Sequence, residues 1–494
     1  MTTRNGSGSA RKVAIIGAGP GGMCMAIKLK EAGFSDVVVL EKGSGVGGTW
    51  YHNRYPGAAC DIMSHLYSYS FEMKTDWSRP YGTQPEILAY LEHCAHKYGI
   101  LPMIRFNTAV RKGLWDEECL VWRLITDAGD EVVADVVISA IGMFTDLNIP
   151  EIEGLDRFAG TMFHSARWDH GHDLTGERVG VIGSAASAVQ FVPEIAQQAG
   201  QLHLFQRTAN WVLPKDDDPY DAETLAQFRQ DPSLVREHRM KIWRDVEHFV
   251  TFPSSMIAKA ERAGLRNLAV VQDPEVRAKL TPTHAYGCKR PLISNVYYPA
   301  FNLPTVELVT DRVAAVTPNA IRTVDGQERE VDTIVLATGF HVDRYLSSLD
   351  LTGRGGVPIN EAWADGAQAY MGMATAGFPN LFMLYGPNTN GGSSMILMLE
   401  LEVAYIMRQL RRMDEEGLAS VEVRRDVMDR YNDRLQADIE QISVWHGDCS
   451  NYYRSASGRM VTQYPHPSAV FRAATATPDP DAYLAQPGLA LSAR

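Results

Sequence analysis

The sequence predicts an α/β protein of two doubly wound parallel-sheet units with a helical insertion. Three observations carry this. A strand, glycine turn, helix and second strand occur in that order twice, each a βαβ start. A charged, strand-poor stretch follows the second occurrence. At 494 residues the chain is too long for one hydrophobic core. With 45% hydrophobic and 21% charged residues, the composition is that of a soluble globular protein. No uncharged apolar run approaches the roughly 18 residues that cross a bilayer. The net charge of −12 argues against a nucleic-acid partner. The polar start, Met1 to Ala10, lacks the apolar core of a signal peptide. It is expected to be a disordered tail on a cytoplasmic protein with no membrane partner.

In the first unit, strand Lys12 to Ile16 runs into Gly17-Ala-Gly-Pro-Gly-Gly22, helix Met23 to Lys30 and strand Val37 to Leu40. Gly17 permits the tight turn, Gly19 lets a pyrophosphate approach the backbone, and Gly22 lets the helix pack on the sheet. The helix then aims its N-terminal N–H groups at the phosphates. Glu41, closing the second strand, accepts from a ribose 2′-OH and repels a 2′-phosphate, so this site calls for FAD or NAD rather than NADP.

The second unit repeats the plan: strand Arg178 to Ile182, turn Gly183-Ser-Ala-Ala-Ser-Ala188, helix Val189 to Gln198 and strand Leu202 to Phe205. Alanines replace two of the glycines. Arg207 stands at the offset that Glu41 holds in the first unit, and a guanidinium there is suited to clamping a 2′-phosphate, with Thr208 as a second donor. FAD in the first unit and NADPH in the second is the simplest reading, giving two Rossmann-like dinucleotide-binding domains. The expected boundaries are 1–148 and 344–494 for the FAD-binding domain, 149–213 and 287–343 for the NADP-binding domain, and 214–286 for the helical insertion.

Two further strands, Val136 to Ile141 and Thr333 to Ala337, end in Gly142 and in Thr338-Gly339-Phe340. The tail beyond Ala474 is Ala/Pro-rich and expected to be loosely held. Gly48, Thr49, Trp50, Tyr67 and Val110 are candidate cofactor contacts in the first unit; Ser184, Ser187 and Gln190 are candidates in the second. The segment Phe378 to Asn390, with Asn388, should return to the flavin. Gly391 to Ser394 should line a substrate pocket, and Met395 and Met398 should belong to helix core. The six cysteines are scattered without a C-x-x-C pair, which removes the flavin–disulfide reductases and any zinc spacing. They read as buried or incidental thiols, and no metal site is expected.

Two longer patterns are more specific. The linker Phe158-Ala-Gly160-Thr-Met-Phe-His164-Ser-Ala-Arg-Trp168-Asp169 fits F-x-G-x-x-x-H-x-x-x-W-[P/D] at every fixed position. The loop Gly47 to Asp61 fits [AG]-G-x-W-x4-[FY]-P-G-x3-D. On these motifs the chain resembles the type I Baeyer–Villiger monooxygenases over nearly its whole length. The resemblance implies an enzyme that turns ketones into esters or lactones with NADPH and O2, through a flavin C4a-peroxide. It implies that Arg290, in Gly287-Cys-Lys289-Arg290, is catalytic and that Asp61 orients it. It places Lys289 with Arg207 and Thr208 at the 2′-phosphate. The fingerprint Phe158, Gly160, His164, Trp168 and Asp169 becomes a linker coupling NADP binding to domain movement. Read without the family, His164 and Trp168 would share one face of a helix.

Departures from the family are Ala59, where relatives often carry a second arginine, His52, where Trp is common, and Tyr452 in place of an indole. The alternatives are a flavin-dependent N- or S-oxygenase, a nucleotide reductase or oxidase, and a non-catalytic flavin-binding protein.

Overall fold

Both glycine turns open all-parallel sheets built on the same plan. The computed structural model describes residues 9, 11–247, 249–346, 348–391, 393–446, 451–477 and 479–488. Strands β1 (Val13–Ile16), β2 (Val37–Leu40), β3 (Ile104–Arg105) and β4 (Val136–Ser139) belong to the first sheet. The second holds β5 (Thr161–His164), β6 (Arg178–Ile182), β7 (Gln201–Phe205), β8 (Val306–Val309) and β9 (Thr333–Leu336), after which β10 (Leu381–Met383) returns to the first. The strand orders are β10-β4-β1-β2-β3 and β8-β7-β6-β9-β5.

In each sheet the strand before the glycine turn is central, flanked by two strands that come later in the chain. Val13 pairs with Val37 on one side and Val136 on the other. Val179 pairs likewise with Leu202 and Thr333. The central strands hold continuous apolar runs, VAII and, after Arg178, VGVI, as strands covered on both faces must.

Helix α1 (Pro20–Glu31) starts three residues before its expected position because Pro20 suits the first helical turn. Helix α2 (Ala186–Ile195) likewise starts early. Strand β4 stops at Ser139, short of the expected Ile141, because the chain there turns against Gly17. The charged stretch folds as α3 (Ala222–Gln230), α4 (Pro232–Glu247), α5 (Ser254–Leu268) and α6 (Pro274–Lys279). The long α7 (Met395–Glu415) buries Met398 and packs on α1.

Three readings need correction. The tail is not loose throughout: Tyr483–Pro487 forms an antiparallel strand against Leu418–Val423, a partner more than sixty residues away that local composition does not reveal. The 161–168 segment is not a helix. It is β5 followed by a 3-10 turn over Ser165–Arg167, because β5 pairs in register with β9. Cys288 is disulfide-bonded, a link that sequence spacing could not signal, whereas Cys24, Cys60, Cys94 and Cys119 are free. Most of the expected Met1 to Ala10 tail lies outside the described residues.

Candidate active site

A cavity of about 1480 Å³ runs from the first glycine turn to the second. An ordinary single-ligand pocket is roughly 300–1,000 Å³, so this one is large enough for more than one occupant. Its flavin-side wall is shaped by backbone contact. Gly17 has φ +105°, and a β-carbon on it would stand 2.7 Å from the Ala140 carbonyl oxygen. A β-carbon on Gly22 would fall 2.0 Å from the Gly17 carbonyl oxygen, so α1 can meet the turn only through glycine. Gly19 caps α1 without a side chain, leaving the helix's first N–H groups free for an anion.

Glu41 is buried, accepting from Ala18 N at 2.6 Å and Gly43 N at 2.7 Å. It lines the cavity, as do Gly48, Thr49, Trp50, Tyr67 and Val110. The Trp50 indole donates to Tyr67 Oη at 3.1 Å. This cradle fits an FAD. Gly22→Ala is therefore expected to give a folded but colourless protein, checked by the ratio of flavin to protein absorbance after purification.

The second turn repeats the geometry. Gly183 has φ +107°, and a β-carbon on it would meet the Ala337 carbonyl oxygen at 2.4 Å, the counterpart of Ala140. Ser184, Ser187, Arg207, Thr208 and Lys289 line the same cavity. Burial, then the Arg207 guanidinium, lowers the Lys289 pKa. Two neighbouring cations facing one cavity suit a phosphate. Gln190 lines the cavity too, but its amide is already engaged: it accepts from Tyr55 Oη at 2.9 Å and donates to Ala59 O at 2.9 Å. It ties α2 to the Gly57–Asp61 loop of the first unit.

Between the turns, Arg290 Nε and Nη2 both donate to one oxygen of Asp61, at 2.9 and 2.6 Å. Both side chains keep access to the cavity, at 37% and 30% exposure. The Asp61 carboxylate raises the Arg290 pKa further, so the cation is permanent. Tyr385, Tyr452 and Tyr453 line the same region, and the Arg290 charge acts on all three. A fixed guanidinium over a cavity between two nucleotide cradles can stabilise negative charge on a reacting oxygen.

A family model described as pyridine nucleotide-disulphide oxidoreductase matches residues 14–243. A Baeyer-Villiger monooxygenase of Pseudomonas aeruginosa is 42% identical over 492 residues, covering 98% of this chain and 93% of its own. The chain belongs to the Baeyer–Villiger monooxygenases. Among solved structures, an oxidized steroid monooxygenase bound to NADP matches with a TM-score of 0.86 and 33% identity, covering 97% of this chain and 100% of its own. OTEMO in complex with FAD and NADP also matches at 0.86, with 28% identity and the same coverages. The family model's name includes disulphide reductases, but this Baeyer–Villiger monooxygenase has no C-x-x-C pair for their chemistry.

In this monooxygenase the fingerprint residues stand behind the cavity. Among the linker residues 158–169, only Ser165 and Arg167 line it. His164 Nδ1 accepts from Ala166 N at 3.1 Å, so the ring proton sits on Nε2 and is donated to Gly339 O at 3.1 Å. Burial lowers the His164 pKa and keeps the ring neutral. Trp168 packs between Phe163 and Phe191, at 5.0 and 5.2 Å between ring centres. A β-carbon on Gly160 would fall 2.1 Å from Asp332 O, next to the Phe158 ring. Asp169 caps the following turn through Gly171 N. His164 thus secures Gly339 at a crossing point of the two chains that join the sheets. There Asn148 N donates to Gly339 O at 2.9 Å, and Thr338 Oγ1 donates to Asn148 O at 2.5 Å.

Asn388 is not at the cavity surface. Buried, it donates to the Met460 and Gln463 carbonyls at 2.9 and 3.0 Å and holds the Tyr385–Asn390 turn, whose Tyr385 and Asn390 do line the cavity. The turn contains two strained residues, Tyr385 at φ +57° and Asn388 at +56°. Sequence reasoning missed the residue beneath it. Glu402 on α7 is fully buried and accepts from Tyr385 N at 2.8 Å. Burial pushes its pKa up to about 8.

Between the unfolded value near 4.5 and about 8, the folded protein holds one more proton than the unfolded chain. Stability therefore falls as pH rises through that window. Glu402→Gln keeps an acceptor for Tyr385 N and removes the titration. It should leave the melting temperature nearly unchanged at pH 4 and raise it at pH 8.5 by at least about 2 °C.

The lining residues that the sequence did not signal include a group of apolar ones. Phe249, Val250, Phe252 and Met256 come from the insertion, and Trp445 from the C-terminal region. Met395, expected in helix core, also reaches the cavity. Of the predicted Gly391–Ser394 pocket stretch, Gly391, Ser393 and Ser394 line it, and Gly392 lies outside the described residues.

Proposed function

We propose that this chain converts ketones to esters or lactones with NADPH and O2, holding FAD at the Gly17–Gly22 turn and NADP at the Gly183–Ala188 turn. The observation that carries the reading is the Arg290–Asp61 pair, set in a cavity open to both cradles. When bound, reduced flavin supplies the oxygen atom drawn from O2. The protein's own groups set its environment. Arg290 would offer a preorganised positive charge to the negative charge that develops on the reacting oxygens. Asp61 fixes the guanidinium plane through both of its bonds. Arg207, Thr208 and Lys289 take the 2′-phosphate, and Glu41 takes the flavin ribose. Around Arg290, the burial of Tyr385 and Tyr453 raises their pKa values and keeps these two phenols neutral. They limit water and proton access, which would otherwise release H2O2.

An N- or S-oxygenase would need no such fixed cation for a carbonyl adduct. The test is a product panel: purified yellow protein with NADPH, O2, cyclic and aryl ketones and one thioether, read by mass spectrometry. Esters or lactones are expected. Sulfoxide alone would move the assignment to heteroatom oxygenation, and NADPH loss with only H2O2 from every ketone would overturn it.

A further inference from the structure

The helical insertion does not sit on one unit; it has a foot on each. The first foot is on the flavin side. Arg239 of α4 is buried, and its Nη1 donates to three carbonyls of the first unit: His65 at 2.7 Å, Leu66 at 3.2 Å and Ser68 at 2.8 Å. Its Nη2 lies 3.7 Å from the Glu400 carboxylate on α7. Glu247, the last residue of α4, accepts from Ser468 Oγ and Ala469 N at 2.9 Å, capping the helix Ser468–Thr475. The Trp243 indole donates to the same Ser468 Oγ at 3.0 Å.

The second foot is on the nucleotide side. Asn267 of α5 donates to Val212 O and Ser294 O at 3.2 and 3.0 Å. Gly264 lies so close to Trp211 that a β-carbon would stand 2.8 Å from its ring. Glu261 accepts from Tyr286 N at 3.0 Å, and Leu268 enters the core of the second unit.

The chain between the feet is short and unusual. Residues 249–253 hold no regular structure, and Phe252 has φ +47°, a conformation costly for a bulky residue that persists only where surroundings impose it. Its ring lies against Gly287, itself at φ +94°: a β-carbon there would stand 2.5 Å from the Phe252 ring. Tyr286 and Trp445 meet the same ring edge-on, at 6.3 and 6.0 Å. Gly287 is three residues before Arg290. The two units have separate hydrophobic cores with a large cavity between them, so relative movement is the default expectation.

We propose that residues 249–253 are a coupling strap and that Phe252 is a positioning residue, transmitting the placement of the flavin-side foot through Gly287 to Lys289 and Arg290. The inference rests on the proposed function for the role of Arg290, but the strap itself is a mechanical claim. A shift of the strap moves the apolar wall formed by Phe249, Val250 and Phe252 together with the catalytic loop, so pocket shape and guanidinium position change as one.

The test uses the FAD-loaded enzyme, with Phe252→Ala, Phe252→Leu and the ring-retaining Phe252→Tyr. Hydrogen exchange with and without NADP+ should show wild-type amides in 249–253 and 286–290 slowing together on binding. In Phe252→Ala, and in Phe252→Leu should the alanine variant fail to fold, that joint response should be lost, and Phe252→Tyr should restore it. Ester formed per NADPH should fall on the order of 10- to 100-fold in the ring-less variants, with the ketone KM changed less than about twofold. A raised KM with coupling and joint protection intact would make Phe252 a pocket-wall residue only and overturn the proposal. Joint protection in an enzyme that makes no ester would uphold the strap and overturn the proposed function instead.

Discussion

Arg290→Ala is expected to oxidise NADPH at near wild-type rate while its ester yield falls on the order of 100- to 1000-fold, the usual loss when one preorganised donor to an oxyanion is removed. The guanidinium is held by two bonds to a single Asp61 oxygen and raised in pKa by that carboxylate, so it stays charged and oriented through the cycle. Its removal takes away transition-state stabilisation without disturbing the Arg207 side of the cavity, and the activated oxygen then escapes as H2O2. The check is parallel measurement of NADPH, H2O2 and ester. Asp61→Asn should fall between the two, because it keeps an acceptor but loses the charge. An Arg290→Ala enzyme with normal ester yield would remove the guanidinium from the chemistry.

Arg207→Gln is expected to raise the KM for NADPH by about 10- to 100-fold and leave that for NADH nearly unchanged. Hydrogen bonds to a charged group contribute about 1.5–3 kcal/mol each, and only the phosphorylated cofactor engages this one. Burial, and then the neighbouring Arg207 charge, lowers the Lys289 pKa, so a dianion relieves repulsion as well as gaining contacts. The measurement is kcat/KM for both cofactors. An equal loss for NADPH and NADH would mean that Arg207 holds the fold or the pyrophosphate rather than the 2′-phosphate.

Local signals in the sequence were read well where the physics is local. The strands Val37–Leu40 and Arg178–Ile182 lie where apolar runs bounded by glycine and charge place them. The two glycine turns adopt matching left-handed conformations at Gly17 and Gly183, because each must let the chain pass the end of the next strand. What stayed hidden depends on partners distant in the chain. The spacing of His164 and Trp168 suits a helix, but pairing of Thr161–His164 with Thr333–Leu336 overrides it. Gln190 carries the polar chemistry of a cofactor contact, yet it bonds Ala59 and Tyr55 across more than 130 residues. Glu402 sits in an apolar helix whose sequence does not show that the strained Tyr385 turn lies against it. The apolar wall from the insertion is likewise invisible locally, because phenylalanines that line a cavity and those that fill a core look alike in sequence.

The central claim is that this cavity transfers one atom of O2 into a carbon–carbon bond beside a carbonyl. The most direct measurement is turnover of a ketone by the wild-type FAD-loaded enzyme with NADPH under 18O2, followed by mass analysis of the product. The account predicts an ester or lactone carrying one 18O atom, in the bridging position. Product with no label, or label found only in H2O2 or a sulfoxide while ketones are returned unchanged, would contradict it.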